Sequence, residues 1–319
     1  DTPDKIIEPN VEGGIFGNSV STAGDMDGDG YADIIVGSSY YSTEDTTWEG
    51  AAYVFRGSKE GPVIPRSQFL KENQGNSRYG YSVFTAGDIN GDGYSDIIVG
   101  APYFDNDENN EGSCFLYYGK PRTPSTSPDW NSANDIRDCG FASSVAGAGD
   151  VNGDGLADIM IGAHLFDNGQ TNEGRVFFYY GQPNDFPATI ADDTLEVNLE
   201  GALFGSSLAS AGDANADGYD DVIVGAPGYK SYEGIVYVFR GNQTGINSSG
   251  MSITVTTGLP APQFGASVTG AGDVNGDGYA DVLIGMPNYD NSRGSACLFY
   301  GSSNSITIQD GWYGYGDQN

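Results

Sequence analysis

At 319 residues the chain can form one large domain or two small ones, and its 49 glycines and 14 prolines exclude an architecture of long helices. Its 44 acidic and 13 basic side chains leave a formal charge of −31, which excludes a nucleic-acid partner because phosphate binding needs clustered Lys and Arg. No run approaches the roughly 18 apolar residues of a membrane-spanning helix, and so large a carboxylate excess calls for strong solvation or for bound cations.

The chain begins at Asp1 without a leader segment, as expected of a processed, secreted protein. Residues 5–11 form a first candidate strand. The pair Phe16-Gly17 then opens a unit whose parts recur down the chain, at Tyr79-Gly80, Phe141-Ala142, Phe204-Gly205 and Phe264-Gly265. A short strand follows (19–23 in the first unit) and leads into an acidic loop that begins Ala-Gly-Asp. The first aspartates of the five loops are Asp25, Asp88, Asp150, Asp213 and Asp273, so the unit is about 62 residues long. After each loop comes an apolar run, such as Ile97-Ile98-Val99 or Val222-Ile223-Val224, which suits a strand buried on both faces. An aromatic-rich third strand ending in Gly is expected at 52–57, 114–119, 176–181, 236–241 and 296–301. A weaker fourth strand completes the unit, with 194–199, 252–256 and 305–309 as examples. Four strands per unit, repeated radially, predict an all-β β-propeller of four-stranded antiparallel blades, spanning 1–319 as a single domain. A solenoid is the rival arrangement, but no unit has the polar face of an end cap.

This succession of Phe-Gly, Ala-Gly-Asp, an Asp/Asn loop and Gly-Ala-Pro (Gly100-Ala101-Pro102, Gly225-Ala226-Pro227) resembles the FG-GAP repeat family, known from integrin α-subunit heads, a phospholipase D, a fungal lectin and microbial surface proteins. The resemblance covers all five units. It implies a propeller fold, calcium binding and an extracellular or cell-surface setting.

The spacing of the loops makes its own case for calcium. In the second unit Asp88, Asn90, Asp92 and Asp96 occupy positions 1, 3, 5 and 9, with the carbonyl of Tyr94 available at position 7 and Gly93 allowing the sharp turn. The equivalent sets are Asp25, Asp27, Asp29, Tyr31 and Asp33; Asp150, Asn152, Asp154, Leu156 and Asp158; Asp213, Asn215, Asp217, Tyr219 and Asp221; and Asp273, Asn275, Asp277, Tyr279 and Asp281. Hard oxygen donors at this spacing suit Ca2+, about five ions in all, whereas the absence of His and Cys from the loops disfavours zinc and copper. The plainer reading of one such loop is an Asp/Gly turn that bonds to its own backbone; five in register favour the ion.

Other residues carry weaker signals. His164, the single histidine, replaces the proline of one Gly-Ala-Pro element, and no nucleophile elbow or zinc motif is present, so the expectation is a chain that is not an enzyme. Tyr41, Phe104, Phe166, Tyr229 and Tyr289 either pack between units or form a binding face for a protein or glycan ligand. Cys114 and Cys139 are candidates for a disulfide, with Cys297 unpaired. The sequons at Asn242 and Asn247 permit glycosylation. Segments 1–12 and 302–319 together offer one strand more than five units need, which raises self-assembly by strand exchange. The leading function is a non-enzymatic adhesion or surface-assembly module; the alternatives are a lectin propeller and the non-catalytic propeller of a larger secreted enzyme.

Overall fold

The computed structural model describes residues 5–9, 12–122, 125–249, 251–253, 262–304 and 306–315. The chain divides into two compact units, Asp1–Gly87 with Gly93–Asp138, and Asp88–Asp92 with Cys139–Asn319. In the first, Phe16–Gly24, Asp33–Ser38, Ala51–Phe55 and Gln68–Leu70 form one four-stranded sheet, and Ser82–Gly87, Asp96–Ala101, Ser113–Tyr117 and Trp130–Ala133 form another. The second unit contains three such sheets. They comprise Phe141–Gly149, Asp158–Ala163, Arg175–Tyr179 and Asp193–Glu196; Ser207–Gly212, Asp221–Ala226, Ile235–Phe239 and Met251–Ile253; and Ser267–Gly272, Asp281–Met286, Ser295–Tyr300 and Thr307–Tyr315. A small hairpin, Gly241–Asn242 with Gly245–Ile246, makes a sixth sheet. Strands pair antiparallel in sequence order, so each repeat is one meander and the fold is all-β. Among the described residues no helix is long and apolar enough to cross a membrane.

The apolar runs behave as their composition dictates. Asp96–Ala101 is buried at every residue, and Ile97 stands between Thr85 on one neighbour and Tyr117 on the other. Its side chains enter a core that also takes Tyr79 of the same repeat and Met26, Ile35 and Val54 from the preceding one. In the second unit Ala214, Ile223 and Val236 likewise share a core with Val282, Ile284 and Phe299. Each large aliphatic or aromatic side chain withdrawn in this way contributes about 1.5–3 kcal/mol. Consecutive repeats therefore stabilise one another.

Glycine is required where repeats meet. Gly174 has φ +84°, and a Cβ there would strike the main chain of Phe204. The close approach lets the Phe204 N–H donate to the Glu173 carbonyl at 3.0 Å, as the Tyr79 N–H does to Glu49 and the Phe264 N–H to Glu233. The Glu-Gly pairs are thus joints between repeats. Their carboxylates are occupied as well: Glu111 accepts the Asp107 and Glu108 N–H groups, and Glu49 pairs with Lys71 at 3.3 Å.

Several expectations are corrected. Residues 5–9 lie in no strand, and Asn10 and Val11 fall outside the described residues. The last sheet takes its fourth strand from Thr307–Tyr315 instead of 305–309, because the second half of this strand, from Trp312 to Tyr315, pairs with Leu298 to Ser295. The surplus strand on which strand exchange was argued is therefore not found among the described residues. The fourth strand expected at 252–256 is described only for Met251–Ile253; 254–256 fall outside. All three cysteines are buried and none forms a disulfide among the described residues; Cys114 directs its thiol to the Ser132 carbonyl at 3.6 Å, within its own sheet. Tyr41, Phe104 and Phe166 make edge contacts with Phe69, Phe115 and Phe177 of their own repeats, and Tyr289 packs against the core of the last two repeats.

Gly174→Ala is expected to cost about 3 kcal/mol or more, the sum of left-handed strain and a main-chain clash. Gly169→Ala, at φ +103° with open space around it, should cost only about 1–2 kcal/mol. Urea unfolding of the two variants measures the difference; equal losses would remove the close approach as the reason for the glycine.

Candidate metal centre

Each acidic loop joins the first strand of a repeat to the second, and a glycine sets its entry. Gly149, at φ +81°, pairs with Asp158 where the register between these strands shifts by a bulge. Gly24, Gly87, Gly212 and Gly272 do the same, at φ +66° to +73°, opposite Asp33, Asp96, Asp221 and Asp281. The Ala-Gly-Asp element is the sequence of that bulge.

The first aspartate organises the turn. Asp150 Oδ1 accepts the Gly153 and Asp154 N–H groups at 2.7 and 3.0 Å, and Oδ2 accepts that of Gly155 at 2.9 Å. Asp25 and Asp273 each take three equivalent bonds, which hold the Asp273 carboxyl below its ordinary range. Asp213 accepts from Asp217 and Gly218, and Asp88 accepts from Asp92. The fifth-position aspartates take the N–H of position 7: Asp29 from Tyr31, Asp154 from Leu156, Asp217 from Tyr219 and Asp277 from Tyr279. The third-position amides of Asn90, Asn152 and Asn275 donate to Asp92, Asp154 and Asp277 and accept their N–H groups; Asn215 accepts the Asp217 N–H.

The ninth-position aspartates do different work. Asp158 accepts the Val151 N–H on Oδ2 and the Gly181 N–H on Oδ1, both at 2.9 Å, tying the loop to the end of the third strand. Asp33 and Asp281 make the same pair of bonds, and Asp96 and Asp221 bond to Gly119 and Gly241. Burial pushes the Asp158 and Asp221 carboxyls up to about 7, and it raises Asp33 too, helped by the charges of Asp27 and Asp29.

In the first loop the carboxylates of Asp25, Asp27 and Asp29 converge, with one oxygen of each within 4.8 Å of the others. Asp27 Oδ1 is buried and without a hydrogen-bond partner, while its Oδ2 meets Arg56 at 3.1 Å. An oxygen withdrawn from water with no donor is costly, and a hard dication among three carboxylates would satisfy it. The donor set therefore fits calcium.

Reading the sequence alone misses how these loops reach the next repeat. The second residue of the loop and the side chain at position 7 look like filler. Yet Met26, Ile89, Val151 and Ala214 are fully buried, and the Tyr94, Leu156 and Tyr219 side chains lie against Gly28, Gly91 and Gly153 of the preceding loop. The 60–63-residue spacing of the units was the signal that the partner of each is one repeat away. His164 is half-buried, its Nδ1 is 2.7 Å from Ser143 Oγ, and desolvation lowers its pKa.

A family model described as FG-GAP repeat matches residues 16–55, 79–114, 141–179, 204–239 and 264–302. Integrin alpha pat-2 of Caenorhabditis briggsae is 31% identical over 259 residues, covering 75% of this chain and 20% of that protein. Integrin alpha-V of Gallus gallus is 34% identical over 219 residues, covering 66% and 20%, and integrin alpha-4 of Xenopus laevis is 29% identical, covering 81% and 25%. The chain thus spans about a fifth to a quarter of the length of these relatives. Among solved structures, Bacillus licheniformis rhamnogalacturonan lyase PL11 superposes with a TM-score of 0.51 at 13% identity, covering 91% of this chain and 50% of that one, a likeness of fold alone.

With metal removed, Asp158→Ala strands two buried N–H groups and is expected to cost about 2–4 kcal/mol. Asp154→Ala, on the exposed side of the same loop, should cost under about 1 kcal/mol under those conditions. Chemical denaturation in EDTA checks this; a large loss for Asp154→Ala would mean that the outer carboxylate carries the turn.

Proposed function

The chain belongs to the FG-GAP repeat family, and on that premise we propose that it is an extracellular, calcium-binding β-propeller that acts as a non-enzymatic adhesion or surface-assembly module. The observation that carries the reading is the convergence of Asp25, Asp27 and Asp29 around an unpartnered buried oxygen, in a loop whose register recurs five times. In each loop, positions 1, 3 and 5 would supply side-chain oxygens and position 7 a carbonyl. The ninth aspartate would close the site from behind while holding the hairpin.

The similarity to integrin alpha subunits supports the adhesive part of the reading. Calcium here supplies charge neutralisation: five ions would bring the formal charge from −31 to −21.

Binding of the protein to immobilised protein and glycan arrays, with calcium and with EDTA, tests the function. Retention on proteins that EDTA abolishes supports adhesion. Retention on glycans alone would replace it with the lectin alternative, and retention indifferent to EDTA would dissociate partner binding from the ion.

Calcium at ten times its Kd should add about 1.4 kcal/mol per site, about 7 kcal/mol for five independent sites, and raise Tm by about 10 °C or more. Calorimetric titration should count five ions, and four for Asp92→Ala. Identical melts with and without metal, after metal analysis confirms stripping, would overturn the calcium assignment.

A further inference from the structure

Where the first repeat meets the second, side chains gather that the joint itself does not need. Arg78 lies at their centre. Its guanidinium carbon stands 4.3 Å from the centre of the Tyr40 ring, 5.1 Å from that of Tyr103 and 5.7 Å from that of Trp48. Arg78 Nη1 donates to Tyr40 Oη at 2.6 Å, and the Tyr40 and Trp48 rings meet edge to face at 5.8 Å. Burial and the neighbouring Tyr103 raise the Tyr81 pKa while the Arg78 charge opposes the rise, so Tyr81 belongs to the same group. Trp48, Tyr81 and Tyr103 are nonetheless 39–48% exposed. All of these residues belong to the first compact unit, and both repeats that form this joint are present in it.

The joint between the third and fourth repeats shows which of these groups the fold requires. Its main chain closes in the same way: the Leu203 N–H donates to the Asn172 carbonyl at 3.1 Å, as the Arg78 N–H does to that of Trp48 at 3.2 Å. The side chains at the corresponding places are Leu165, Asn172, Leu203, Ser206 and Gly228. No cation and no ring stands among them. The aromatic and cationic cluster is therefore an addition to the joint of the first two repeats.

Carboxylates are plentiful in a chain with 44 acidic side chains. Six basic side chains pair with one, whereas Arg78 pairs with none among the described residues. Rings stack on the face of a guanidinium and leave its in-plane N–H edge open to a carboxylate. Exposed Trp and Tyr around an Arg is also the composition found at the energetic centre of protein–protein contacts.

We propose that Arg78, Trp48, Tyr81 and Tyr103 form a docking site for a protein segment that presents an Asp or Glu side chain, the carboxylate meeting Arg78 and the adjoining apolar groups lying on the rings. The proposal rests on the adhesive reading above and locates its contact at the end of the second strands away from the acidic loops. The attraction is local, because at physiological salt the chain's distant carboxylates are screened beyond roughly 8 Å.

Capped peptides that each carry one Asp or Glu, arrayed beside counterparts with Asn or Gln, test the site with the calcium-loaded chain. The wild type should prefer the acidic member of a pair by about tenfold or more, and Arg78→Gln or Trp48→Ala should each remove that preference without lowering Tm. Where Arg78→Gln lowers Tm, Trp48→Ala and Tyr103→Ala carry the test. Phe186→Ala, at an exposed ring in the third repeat, should change nothing. Equal retention of acidic and amide peptides, an equal effect of Phe186→Ala, or Arg78-dependent retention of oligogalacturonate in place of the peptides would each overturn the proposal. Protein retention that survives both Arg78→Gln and Trp48→Ala would overturn this site and leave the adhesive reading standing. Acidic peptides held at Arg78 by a chain that retains no folded protein would do the reverse.

Discussion

A carboxylate withdrawn from water needs hydrogen-bond donors or a counter-ion. The last aspartate of each acidic loop meets that need with main-chain N–H groups at the end of the third strand and, as Asp33, Asp158 and Asp281 show, at the start of the loop. Asp158 thereby fixes how far Val151 and Gly181 stand apart, and the turn between them is forced to fold with its remaining oxygens outward. The apolar second strand starts at that aspartate, so the register of the sheet is counted from it.

From this anchored turn the repeats acquire their coupling. The main-chain carbonyls beside the first aspartate face the following repeat, and the Glu-Gly pair makes a second attachment through the opening aromatic-Gly pair. Between the first and second repeats, and between the fourth and fifth, two main-chain attachments and a shared apolar core make stability a nearest-neighbour quantity. Residues that look like spacers in one repeat, such as Met26 or Gly174, are structural for the next.

Local spacing was enough to read the five loops, the buried second strands and the aromatic third strands, because each is a short run of characteristic residue types that recurs with the repeat. The fourth strands were harder. Gln68–Leu70 is three residues long with only Leu70 a full core member, and the last one begins at Thr307 and runs on through Trp312, because pairing with Ser295–Tyr300 outweighed the turn-like glycines Gly311 and Gly314. The inter-repeat role of Met26 could not be read locally, since its carbonyl meets Lys120 far along the chain. The hydrogen bond between His164 Nδ1 and Ser143 Oγ is likewise one that no spacing announces.

The ion pair between Arg56 and Asp27 changes how the loops compare with one another. Only the first loop has aspartate at positions 1, 3, 5 and 9; the other four have asparagine at the third position. Counting carboxylates would rank the first as the strongest calcium ligand. With the guanidinium 3.1 Å from Asp27, its local charge falls to that of its four neighbours. A loop that looks richest in carboxylates is thereby brought closer in charge to the rest.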